Sequence, residues 1–129
     1  MKAKATIAAR IIFGLIFLIF GLNGLFHFMP TPPPTPEAGA FLGALFKSGY
    51  IFPIVTAVKI FVGVALLSNV LVPFALVVLT PIMVVINLHH VFLDPATLAM
   101  PIVLAAIQAY LVYAYRAHYK QLFTIKAEL

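Results

Sequence analysis

Between Ile11 and Phe28 the chain is apolar at every position except Asn23 and His27. About 20 apolar residues are enough to cross the hydrocarbon core of a bilayer as a helix, so the stretch from Thr6 to Phe28 predicts a first span. Three further runs have the same character: Tyr50 to Leu67, Leu71 to Leu93, and Ala96 to Tyr115. Polar or helix-breaking residues separate them. Residues 29–37 form a loop with prolines at 30, 32, 33, 34 and 36, a density that favours an extended, semi-rigid connection. Ser68 and Asn69 make a tight turn. Asp94-Pro95 closes the third span, and Asp94 or Thr97 is placed to cap the next helix.

The segment Ala38 to Lys47, AGAFLGALFK, is apolar but too short to span. It predicts an interfacial helix at the membrane surface or over the mouth of the bundle. Pro73 falls in the first turn of the third span, and Pro81 lies inside it, where a kink is expected. Gly14, Gly21 and Gly24 in the first span, and Gly63 in the second, suit a close helix–helix approach.

Composition supports a membrane protein. Of 129 residues, 64% are hydrophobic and 9% charged, and the mean hydropathy is +1.16. A soluble domain is about a quarter charged, so this chain cannot clothe a water-facing surface. The net charge is +5, but Lys2, Lys4, Arg10, Arg116, Lys120 and Lys126 sit at the two ends of the chain. That is a topology signal rather than a nucleic-acid patch. Both termini are therefore expected in the cytoplasm, with Tyr110, Tyr113, Tyr115 and Tyr119 forming an aromatic belt there. The basic start resembles a secretory signal, but the apolar run is long and no small-x-small cleavage site follows it, so the segment is expected to be retained.

The absence of cysteine excludes disulfides, thiolate catalysis and thiolate metal sites. The only acidic residues are Glu37, Asp94 and Glu128, which leaves paired-carboxylate chemistry poorly supplied. No nucleophile elbow, phosphate-cradling glycine loop or zincin motif is present.

Candidate chemistry rests on the polar side chains inside the spans, since such groups face protein or a water pocket. They are Asn23, His27, Lys59, Asn87, His89, His90 and Gln108. Residues four apart share a helix face and adjacent ones diverge by about 100°. Asn23 and His27 thus form one pair, and Asn87, His90 and Asp94 form a stripe from which His89 points away. Both sets lie toward the outer ends of their spans, so Asn23 and His27 are expected to face Asn87 and His90 across an outer pocket. Three readings stay open. The groups hold the bundle together by interhelical hydrogen bonds; they bind a quinone or another small amphiphile; or His27 and His90 ligate a metal or flank a haem. Without a His-x-x-x-His pair or a covalent haem motif, no metal site is expected. Lys59 and Gln108 each fall near mid-helix. Either Lys59 snorkels to an interface, or it meets Gln108 or a carbonyl freed by Pro81 and orients an anionic group.

The ordered segments ARIIFGLIFLIFGLNGL, AGAFLGALFKSGYIFP, KIFVGVALL and LTPIMVVINLHHVFLDP resemble the DoxX-like family of small bacterial membrane proteins, over roughly Ala9 to Tyr115. The most specific parts are the Gly49-Tyr50 entry to the second span and the Pro81-x5-Asn87-x2-His90 run. The resemblance implies a cytoplasmic-membrane protein with four membrane-spanning helices, associated with membrane redox complexes. Members often carry a glutamate near the position of Lys59, a departure that bears on any redox role.

The expected fold is an all-α membrane protein, a single domain over residues 1–129: a four-transmembrane-helix bundle with a short interfacial helix between its first two spans. The expected function is an accessory subunit of a membrane redox system, non-catalytic on its own, with a quinone or small-amphiphile pocket lined by Asn23, His27, Asn87, His90, Lys59 and Gln108. The alternatives are direct quinone oxidoreductase chemistry and lipid or small-molecule binding or transport. The expected partners are the lipid bilayer and either further copies of the chain or the other subunits of a membrane complex, with no nucleic acid.

Overall fold

In the computed structural model, residues 2–30 and 33–128 are described, and every regular element among them is helical. Five α-helices follow one another: α1 Lys2–Phe26, α2 Pro36–Lys47, α3 Ile51–Ser68, α4 Val72–Leu93 and α5 Ala99–Ala114. A 3₁₀ turn, Pro95–Thr97, precedes α5, and a 3₁₀ run, Arg116–Phe123, follows it at an angle of 80°. Helices α1, α3 and α4 are each long and apolar enough to cross a membrane; α5 joins them if it and the bent 3₁₀ run form one broken span.

The long helices form a ring in which α1 packs on α3 and α5, and α4 packs on the same two. The core inside it is built from Phe13, Phe17, Leu66, Leu76, Leu79 and Leu111, all essentially inaccessible. The α1–α3 contact is the closest. The carbonyl of Gly63 would lie 3.2 Å from a Cβ on Gly14, and the backbone nitrogen of Leu18 would lie 2.7 Å from a Cβ on Gly63. Small residues thus let two backbones approach where larger side chains would hold them apart.

Several boundaries differ from the sequence expectation. The first helix starts at Lys2 rather than Thr6, because Ala3, Lys4 and Ala5 are strong helix formers even though they are not a continuous apolar run. It ends at Phe26 rather than Phe28, because His27 takes a left-handed conformation (φ 51°). Pro36 was expected in the loop, yet it opens α2. Its missing N–H costs nothing at the first helical position, and the Thr35 hydroxyl caps the helix by accepting from the Ala38 amide at 3.2 Å. Thr31 and Pro32 of that loop lie outside the described residues. The last helix begins at Ala99 rather than Ala96, since Pro95–Thr97 closes as a 3₁₀ turn with Leu98 N donating to Pro95 O at 3.3 Å. The remaining spans shift by one residue. The helical assignment of α4 continues through Pro81.

The turn between α3 and α4 is tight. Asn69 (φ 58°) and Leu71 (φ 56°) are both left-handed, and Val70 N closes the end of α3 onto Ala65 O at 3.0 Å.

Candidate functional site

At the end of the molecule that carries the proline loop, the expected site residues turn mainly to nearby groups. The Asn23 Oδ1 accepts from the Met29 amide at 2.7 Å. The carbonyl of Asn23 takes the His27 amide at 2.8 Å. Together they close α1, and the His27 side chain is exposed. On α4, Asn87 Nδ2 donates back to Met83 O at 2.9 Å. The Thr97 hydroxyl donates to Asp94 O at 3.2 Å, which leaves its oxygen to accept from His90 Nδ1 at 2.8 Å. His90 therefore binds α4 to the turn that follows it.

Sequence phase sets His89 apart from the stripe, and the structure gives it a distinct environment. Its ring lies 5.5 Å from that of Phe41 on α2 and edge-on to His90 at 5.1 Å. Its Nδ1 is buried without a hydrogen-bond partner among the described residues. Thr35 completes this corner. Besides capping α2, its hydroxyl donates to Leu93 O at 2.6 Å, fastening α2 to the end of α4. No spacing rule pointed to Thr35, because its partner is 58 residues away.

The two mid-helix candidates do not meet. Gln108, 5% exposed, donates from Nε2 to Leu76 O at 3.1 Å and to Thr80 Oγ1 at 3.0 Å, both on α4, five residues and one residue before Pro81. Its Oε1 is buried and has no hydrogen-bond partner among the described residues. Lys59 is half-buried on α3 and lies against α1, its Cβ 3.2 Å from where a Cβ on Gly21 would stand.

At the opposite end, which carries the chain termini, the structure shows features that hydropathy alone hid. Arg10 is only 8% exposed, and its guanidinium donates to Leu66 O near the end of α3. A cation there completes a carbonyl that lies in the negative end of the helix dipole. Tyr119, 7% exposed, leaves the expected aromatic belt for the interior and donates to Pro73 O at 2.9 Å, tying the bent 3₁₀ run back onto the first turn of α4. Tyr110 stays outside and hydrogen-bonds Thr6 at 3.0 Å.

This tie leaves an open groove of about 550 Å³. Val77, Pro81 and Val112 of the helices line it, together with Tyr119, Leu122 and Phe123 of the 3₁₀ run and the exposed cations Arg116 and Lys120. Thr80 also lines it, but its hydroxyl is occupied by Leu76 O at 2.8 Å and by Gln108, so the wall is effectively apolar. A smaller cleft of about 510 Å³ lies alongside, lined by Ala114, Arg116, Ala117 and Lys120. The guanidinium of Arg116 rests 4.1 Å over the Tyr113 ring and gives one N–H to Tyr113 O at 2.9 Å. Its remaining donors make no hydrogen bond among the described residues. The sequence signal for this region was RAHYKQLF, in which Arg116 and Lys120 alternate with apolar and aromatic residues. No family model, curated protein or solved structure matches this chain.

Proposed function

We propose that this chain is a multi-pass protein of a bacterial cytoplasmic membrane that binds a lipid-soluble amphiphile and performs no chemistry on it alone. In this reading α1, α3, α4 and α5 form a four-span bundle with both termini in the cytoplasm. The short helix α2 lies in the opposite interface, and the chain works as a homo-oligomer or as an accessory subunit of a membrane complex. Two features support the topology. The basic residues concentrate at one end, and the 16 residues of α5 reach about 24 Å at 1.5 Å per residue. That is about 6 Å less than the hydrocarbon core, so in this reading α5 and the bent 3₁₀ run complete the passage to the interface together. Leu122 and Phe123, 66% and 80% exposed, suit insertion at that level.

The observation that carries the binding reading is the groove between α4, α5 and the 3₁₀ run: apolar walls with two cations at its edge. Val77 is partly exposed on its wall, so Val77→Trp fills the groove without entering the core. Native mass spectrometry of the detergent-solubilised protein should show co-purifying lipid-like ligand in the parent and its loss in Val77→Trp. Equal retention in both refutes the reading.

A second reading, a quinone-linked accessory subunit of the kind the DoxX-like resemblance implies, draws on the buried, unpaired Nδ1 of His89 beside His90. An imidazole nitrogen there suits hydrogen bonding to a carbonyl. Quinone that co-purifies with the parent protein and with Val77→Trp, but not with His89→Phe, would favour it.

A further inference from the structure

The groove and the smaller cleft share two side chains, Arg116 and Lys120. One space is walled by valine, proline, leucine and phenylalanine; the other is walled by two alanines and the same two cations. We infer that the ligand of this site is an anionic glycerophospholipid of the bilayer, with its phosphate between Arg116 and Lys120 and an acyl chain along Val77, Pro81 and Val112. This rests on the amphiphile-binding reading above and sharpens it from any amphiphile to one charge class.

Charge complementarity selects the class. Among the described residues no carboxylate lines either space, and of the three acidic side chains only Glu128 belongs to this end of the chain. Arg116 and Lys120 are exposed, so they meet a headgroup without first being desolvated. Arginine gives planar, paired donors to phosphate oxygens while lysine acts as a point charge. Position agrees with this. The two cations lie on the 3₁₀ run that follows Ala114, which faces the lipid headgroups when α5 and that run cross the core together. The ring of Tyr113 beneath Arg116 holds the guanidinium in place by a cation–π contact. Tyr119 fixes the 3₁₀ run on Pro73, so the groove does not have to form on binding.

Each lysine or arginine near an anionic surface contributes about five-fold to binding, so the pair should favour an anionic over a zwitterionic lipid by about 25-fold. The test is native mass spectrometry of the full chain in detergent, titrated separately with phosphatidylglycerol and phosphatidylcholine. The parent should prefer phosphatidylglycerol by that factor. Lys120→Gln should lose about five-fold of it, and Arg116→Gln/Lys120→Gln should bind both lipids alike. Lys120 makes no hydrogen bond among the described residues, so the single variant keeps the test informative if the double variant misfolds. Equal binding of the two lipids by the parent, with Val77→Trp abolishing both, overturns the anionic assignment while leaving the groove reading intact. Unchanged binding in Val77→Trp overturns both. Displacement of the lipid by inorganic phosphate marks a free-phosphate site and overturns the lipid assignment.

Discussion

Gly63 gives the sharpest test of the packing. A Cβ at this position would lie 2.7 Å from the Leu18 nitrogen and Cβ and 2.8 Å from its Cα. Comfortable carbon contacts lie at about 3.5–4.0 Å, so α1 must retreat by about 1 Å locally. Two of the three obstructing atoms are backbone, so no rotamer change relieves them. A gap of that size forfeits about a quarter to a half of each dispersion contact across the seam. Overpacking of this kind costs about 1–3 kcal/mol. Replacing a helix-interior glycine returns about 0.5–1 kcal/mol. The net expectation for Gly63→Ala is a loss of about 1–2 kcal/mol, measured as the unfolding free energy in mixed micelles titrated with a denaturing detergent. Two comparisons calibrate it. Gly43 has nothing within 4 Å of its would-be Cβ, so Gly43→Ala should be neutral or stabilising by about 0.5–1 kcal/mol. A Cβ on Gly24 comes within 3.0 Å only of the Thr56 hydroxyl oxygen, at 2.8 Å, and that group can rotate; Gly24→Ala should fall between the other two. If Gly63→Ala is as stable as Gly43→Ala, the α1–α3 approach is not as close as described.

Gln108→Leu removes two hydrogen bonds but also the unpaired Oε1, while Thr80 still satisfies Leu76 O; its unfolding free energy should stay within about 1 kcal/mol of the parent, and a larger loss would show that Oε1 has a partner. Lys59→Met removes a cation that makes no hydrogen bond among the described residues and costs about 2.5–3.5 kcal/mol on insertion scales when central, so the variant should be as stable as the parent or more so; destabilisation in the same titration means the ammonium is paired. A reporter fused after Leu129 should read out in the cytoplasm and one placed in the proline loop on the far side; the reverse result sinks the four-span topology.

The helices were legible because hydrophobic runs and breakers are local signals. The three long spans end within about two residues of their expected C-terminal limits, and the glycines singled out for close approach do sit at the α1–α3 seam. Pro36 was misjudged because proline reads as a breaker until its position relative to Thr35 is known. The site was harder to read. Helical phase separates His89 from His90, but phase says nothing about what each face meets. Asn23 is the clearest case. Its place on an apolar helix suggested a partner on another helix, while the left-handed turn at His27 brings the Met29 amide back to it. In the sequence Arg10 counts only as a topology charge and Tyr119 only as a belt aromatic, because both rules are compositional. Their burial follows from carbonyls of Leu66 and Pro73 that only the folded chain presents.

The two ends of the molecule meet the demands of the bilayer differently. At the loop end Asn23, Asn87, His90, Thr35 and Thr97 find groups of the chain itself, mostly close in sequence, while His27 is exposed and the Nδ1 of His89 has no partner among the described residues. A polar group already satisfied within the chain gains little by binding something else, because a ligand must replace a bond rather than add one. At the terminal end the balance is reversed. Arg10 and Tyr119 are spent on holding helices, but Arg116 and Lys120 keep unused donors beside an apolar groove, with no carboxylate among the residues that line it. Polarity along the sequence therefore points to the loop end, while the proposed groove lies at the other. The informative quantity is the hydrogen-bonding capacity left over once the fold has taken its share, and beside the groove that surplus lies with Arg116 and Lys120.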